Sequence, residues 1–152
     1  MGAAEVHLRD VREDDLPIFF EYQRDPESNR MANFEGRELD GFLDHWRKIM
    51  RDETVVVRAV EVSGKLAGNA VSWQHDGDRD VGYWIGREHW GRGIATAALS
   101  TLLVELPHRP LSAHVAAHNL GSIRVLEKCG FILAAETLTD GGVRELRFEL
   151  PV

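Results

Sequence analysis

Two glycines bracket an arginine at the head of an apolar run, in Glu88–Leu99, EHWGRGIATAAL. After proline, glycine is the residue a helix tolerates least, so Gly91 and Gly93 mark a tight turn or a backbone that must approach a ligand closely. A glycine turn feeding a helix suits an anion. The first-turn N–H groups are unpaired, the helix dipole favours negative charge, and the missing Cβ atoms leave room for phosphate. Arg92 adds a positive charge. Three phosphate-binding chemistries compete for this loop. A Walker loop ends in Gly-Lys-Ser/Thr, and GRGIAT has no lysine. A dinucleotide fingerprint is met only through Gly91-x-Gly93, with Thr96 at its last position, and the acid expected about 20 residues on is missing from LSAHV. The third chemistry is coenzyme A.

A second polar group opens a later helix, NLGSIRVLEKCG. Asn119 is placed as its N-cap and Gly130 as the left-handed residue that ends it. Ser122 follows Asn119 by three residues, so both lie at the helix's open end. His114 and His118 invite a metal reading, but no carboxylate or cysteine at ligand spacing completes a site, and surface or strand-end roles are expected. Cys129 reads as a small apolar side chain near a helix end. Tyr83 and Trp84 are neighbours on a strand and face opposite sides, which puts one of them in the core.

These residues need elements to hold them. EVHLRDV alternates as a strand, and REDDLPIFFEYQRD opens with acids and carries Leu16, Phe19, Phe20 and Gln23 at helical spacing. DPESNRMANFEG reads as a loop, and ELDGFLDHWRKIMRD as a helix with Leu39, Phe42, Leu43, Trp46 and Ile49 on one side. TVVVRAVEV, LAGNAVSWQH and RDVGYWI form successive hairpin strands through the turns SGK and DGD. IATAALSTLLVEL continues the glycine motif as a helix, LSAHV is a short buried strand, and FILAAETLT and VRELRFEL close the chain as a hairpin. The order βααβββαβαββ predicts an α/β fold. Its mixed sheet has about seven strands, and about four helices cover both faces.

The chain has 152 residues, 43% hydrophobic and 28% charged, which fits a single domain over residues 5–152. The net charge of -7 argues against a nucleic-acid partner, since no Lys/Arg cluster is present to neutralise phosphates. The first sixty residues hold 14 acids against 9 Lys and Arg, a solvated surface that would also suit a cationic partner. The single Cys129 fits a reducing compartment, no stretch has the length of a membrane span, and MGAAEVHLRD contains no leader-like apolar region. A cytoplasmic protein with no membrane partner is expected.

The two polar motifs together resemble the GNAT superfamily of acetyl-CoA-dependent N-acetyltransferases, whose pyrophosphate loop reads Arg/Gln-x-x-Gly-x-Gly/Ala. Trp90-Gly-Arg-Gly93-Ile-Ala95 fits it with Trp in the first position. YWIGREHWGRGIATAAL and NLGSIRVLEKCGF are closest to the branch that acetylates ribosomal-protein N-termini and similar amines. With the element order, the resemblance covers nearly the whole chain. It implies a GNAT fold in which acetyl-CoA wedges between two splayed parallel strands, here VGYWI and LSAHV. Trp90, Gly91, Arg92, Gly93, Ile94, Ala95 and Thr96 would hold the pyrophosphate, and backbone N–H groups near Trp84 and Ile85 the thioester carbonyl. Asn119 would hold the pantetheine arm. The tyrosine that many members use to protonate the thiolate is replaced by Leu126, and Ser122 matches the serine of the resembling branch. Asp80, His75 and Asp76 lie near the presumed acceptor side, with Asp80 the first choice as general base; none has a motif behind it, and a water-relayed base or an amine arriving already neutral is equally compatible. The implied partners are acetyl-CoA and a primary amine, attacked directly in a ternary complex. No metal is called for, and the resemblance leaves room for a homodimer. A domain that holds CoA with little or no turnover is the alternative.

Overall fold

The computed structural model describes residues 5–152; the first four residues lie outside them. The strands are β1 (Val6–Asp10), β2 (Val56–Val62), β3 (Lys65–His75), β4 (Asp78–Ile85), β5 (Leu111–Ala116), β6 (Ile132–Leu138) and β7 (Arg144–Leu150). They form one sheet in the order β1-β2-β3-β4-β5-β7-β6. Among the described residues the helices are α1 (Leu16–Gln23), α2 (Pro26–Ala32), α3 (Leu39–Arg51), α4 (Ile94–Glu105) and α5 (Leu120–Lys128).

Short turns set the first part of the sheet. Ser63 and Gly64, with φ 50° and 83°, join β2 to β3, and Asp76 and Gly77, with φ 50° and 84°, join β3 to β4. Left-handed residues in pairs match the twist of a tight hairpin. The helices divide between the faces. Ile94, Leu99 and Leu102 of α4 and Leu126 of α5 pack with Val60, Val81 and Phe148 into one core. Leu16 and Phe19 of α1 pack with Phe42 and Trp46 of α3 on Ala59 into the other. Leu39, expected on the buried side of α3, is its first residue and is 46% exposed.

Helix α2 corrects the loop reading of DPESNRMANFEG. Asp25 accepts hydrogen bonds from the Ser28 backbone N–H (3.2 Å) and from its hydroxyl (2.7 Å), Pro26 supplies a preset φ at the first helical position, and Asn33 ends the helix at φ 51°. Those are local signals that an apolar-periodicity search passes over, because the helix is only seven residues long. Gln23, buried at the end of α1, then closes the loop to α3: it accepts from the Arg37 N–H (2.6 Å) and donates to its carbonyl (3.1 Å).

The sheet is antiparallel except between β4 and β5, which run parallel and register at one pair alone, Asp80 opposite Ser112. Beyond that pair the strands diverge. β5 offers no ladder partner to Val81–Ile85, so backbone groups on that side of β4 face a gap.

Candidate active site

A cleft of about 430 Å³ opens between the end of β4, the glycine turn, α5 and α2. A smaller slot of about 130 Å³ lies between the diverging strands, walled by Val81–Tyr83 of β4 and Ala113–Ala116 of β5. Tyr83, Asn119, Ser122 and Ala32 border both.

The glycine turn enters α4 with both glycines left-handed, each at φ +76°. A Cβ built on either would meet nothing within 4 Å. The chain path by itself therefore requires both glycines, and the space around them is open as well. Gly93 is the N-cap and has no side chain to cap with, and the first helical hydrogen bond runs from the Ala97 N–H to the Gly93 carbonyl (3.1 Å). The N–H groups of Ile94, Ala95 and Thr96 thus have no helical partner and head the cleft. Trp90 braces the turn, its indole N–H donating to the Ile85 carbonyl (2.9 Å).

At the other rim Asn119 caps α5, its side-chain oxygen accepting from the Ser122 N–H (3.2 Å). The Ser122 hydroxyl lies 2.6 Å from that of Tyr83. Burial pushes the phenol up to about 12, so Tyr83 is neutral and retains its proton. Trp84, on the opposite face of β4, packs edge-on against Phe34 (5.4 Å between ring centres). At the base of the opening Asp80 is buried, with one carboxylate oxygen 3.5 Å from Nδ1 of His75 and 3.5 Å from Nδ1 of His114. Burial raises its pKa and the two imidazoles oppose that rise.

An anion-ready helix terminus beside a slot between parted parallel strands is a place for a phosphate-bearing carrier whose reactive end enters the sheet. The comparison with known families decides which: residues 5–132 match the acetyltransferase (GNAT) domain. The chain belongs to the GNAT acetyltransferase family. Its co-substrate is acetyl-CoA and its reaction is acetyl transfer to an amine.

The uncharacterized N-acetyltransferase p20 of Bacillus licheniformis is 26% identical over 138 residues, 82% of this chain and 77% of that one. The spermidine N-acetyltransferase of Vibrio cholerae, solved in complex with CoA and spermine, superposes with a TM-score of 0.83 at 20% identity, covering 95% of this chain and 94% of that one. The GNAT-family acetyltransferase of Bacillus anthracis also reaches 0.83, at 18% identity, covering 97% and 96%. At such identities the structural likeness is one of fold.

Within this GNAT domain, Trp84, Ile85, Trp90, Gly91, Gly93, Ile94, Ala95, Thr96, Asn119 and Ser122 all border the cleft. Arg92 does not; it is exposed, with its guanidinium 3.4 Å from His89 Nδ1. The cationic groups on the cleft are Arg124 and Lys128 of α5. Their four-residue spacing on the helix that begins at Asn119 was the available signal. Asp80 borders neither cavity, and His75 sits further out at the last residue of β3. Ser28, Met31 and Ala32 of α2 form a wall that a loop reading could not supply. Among the described residues no cluster of His, Cys, Asp and Glu has the geometry to hold a metal, and no helix is long and apolar enough to cross a membrane.

Proposed function

We propose that the domain 5–152 transfers acetyl from acetyl-CoA to a primary amine by direct attack within a ternary complex. The observation that carries this reading is the single-pair registry of β4 and β5, which leaves β4 backbone groups facing a slot bordered by Ser122. The Ile94, Ala95 and Thr96 N–H groups hold the pyrophosphate, with Arg124 and Lys128 supplying the positive charge expected of Arg92. The gap-facing backbone around Trp84 and Ile85 polarises the thioester carbonyl. Asn119 meets the pantetheine arm, and Ser122 gives its proton to the departing thiolate.

Tyr83 fixes which way Ser122 points. A neutral phenol that donates to the serine oxygen leaves the serine's own hydrogen free for the sulfur. The buried carboxylate Asp80 serves the acceptor's side. The likeness of the two motifs to the branch acting on ribosomal-protein N-termini makes a peptide α-amine one acceptor class, and a small-molecule amine is the other.

Calorimetric titration with acetyl-CoA, followed by a thiol-release assay over spermidine, an Ala-initiated tetrapeptide amide, lysine and hydroxylamine, tests the proposal. Saturable binding with release on at least one amine is the expected result. Binding with no release on any of them would leave a CoA-holding domain instead. Asn119→Ala should cost about 1 kcal/mol of stability as a lost cap and also weaken acetyl-CoA binding. A stability loss with unchanged affinity would reduce Asn119 to a cap.

A further inference from the structure

Resting on the acetyl-transfer reading, we propose that His114 takes the proton from the attacking amine and that Asp80 is its positioning residue. Asp80 was the first choice from sequence, yet it borders neither cavity, and its side chain is only 5% exposed. An ammonium has no open path to that carboxylate. His114 belongs to β5, the strand that walls the slot, and borders the same slot as Ser122 and Tyr83. Its Nδ1 faces the Asp80 carboxylate at 3.5 Å, which leaves Nε2 as the nitrogen able to accept a proton. A carboxylate behind an imidazole holds the ring's orientation and balances the imidazolium that forms. A buried carboxylate, for its part, needs compensating charge. His75 lies 3.5 Å from the same oxygen with a side chain 58% exposed, a second imidazole that helps balance the buried carboxylate.

The protons balance across the slot. Of the three on the entering ammonium, His114 removes one, which passes to solvent. The freed lone pair forms the C–N bond as the C–S bond breaks. A second proton reaches the thiolate by way of Ser122, and the third stays on the amide nitrogen. Other charged groups surround His114. Arg147 of β7 stands directly opposite it, paired to Glu149 (3.2 Å). Glu145 lies two residues along β7, Asp78 acts on Asp80 from the hairpin, and Glu27 and Arg30 pair with each other on α2.

The test compares acceptors that arrive protonated with one that does not. Hydroxylamine is neutral at the assay pH and needs no base, whereas spermidine and the tetrapeptide amide arrive as ammonium ions. His114→Gln should lower kcat for whichever ammonium acceptor turns over by ~10²-fold, and the loss should shrink as pH rises and more of the acceptor arrives as free amine. Acetyl-CoA affinity and the rate with hydroxylamine should stay within a few-fold. Asp80→Asn should act in the same direction but add little to His114→Gln, as for residues working as one unit, and His75→Gln should cost only a few-fold. Full kcat with an ammonium acceptor in His114→Gln would overturn the assignment, and so would an equal loss with hydroxylamine. Wild-type protein that releases thiol with none of the acceptors would instead overturn the acetyl-transfer reading on which this one rests.

Discussion

Ser122→Ala is expected to lower turnover by ~10²-fold or more, the range for a positioned proton donor, while acetyl-CoA binds as before. The hydroxyl is needed as the tetrahedral intermediate collapses and the sulfur leaves, so its loss falls on kcat and kcat/KM together and spares ground-state binding. Its setting supports that role. Ser122 borders both the cleft and the slot, and its hydroxyl oxygen lies 2.6 Å from that of Tyr83. Tyr83→Phe, which removes only the phenolic oxygen, should reduce kcat in the same sense, and the double variant should be little worse than Ser122→Ala alone. Ser122→Thr keeps a hydroxyl and should recover part of the rate. Near-normal turnover of Ser122→Ala would mean that water or the amine's own proton serves the thiolate. A free thiolate is a weak enough base for that to be workable chemistry.

The second large effect concerns Gly93. Replacing it by valine should raise the acetyl-CoA dissociation constant at least ~10-fold, or about 1.4 kcal/mol, in a protein that stays folded. Ile94, Ala98, Leu99 and Leu102 are all buried and keep α4 docked, so the damage is local to the turn. Two causes act together. At φ +76° a β-branched residue is strained by ~1–2 kcal/mol, and its side chain would project into open space beside the Ile94, Ala95 and Thr96 N–H groups. Gly93→Asn separates them, because asparagine tolerates the left-handed conformation but still carries a side chain. Weak binding by both variants would identify steric exclusion of the phosphates. Weak binding by Gly93→Val alone would identify the backbone, and normal affinity in both would remove the loop from the binding site.

Much of this molecule is legible locally. Alternation marks β1, turns mark the hairpin strands, helical spacing marks α1 and α3, the glycine turn leads into α4, and the Asn119 cap opens α5. Such features depend on neighbours a few residues away, which is why one sequence can display them. α2 was missed although Asp25, Pro26 and Ser28 encode its start, because capping chemistry in a seven-residue helix leaves no periodic apolar stripe.

The working geometry is different in kind. Nothing local says that Tyr83 reaches Ser122, 39 residues on, or that His114 and His75 meet over Asp80. These meetings follow from the sheet order, which sets β5 beside β4, and from a ladder that holds at Asp80 and Ser112 and then lets go. Sequence by itself settled the strands, the helices other than α2, and that a phosphate-bearing carrier suits the turn before α4. Only the tertiary structure decided which side chains face the opening. It brought Arg124 and Lys128 to the cleft in place of Arg92, and His114 to the slot in place of Asp80. Side-chain chemistry is written residue by residue, but proximity across a sheet is a property of the whole packed chain.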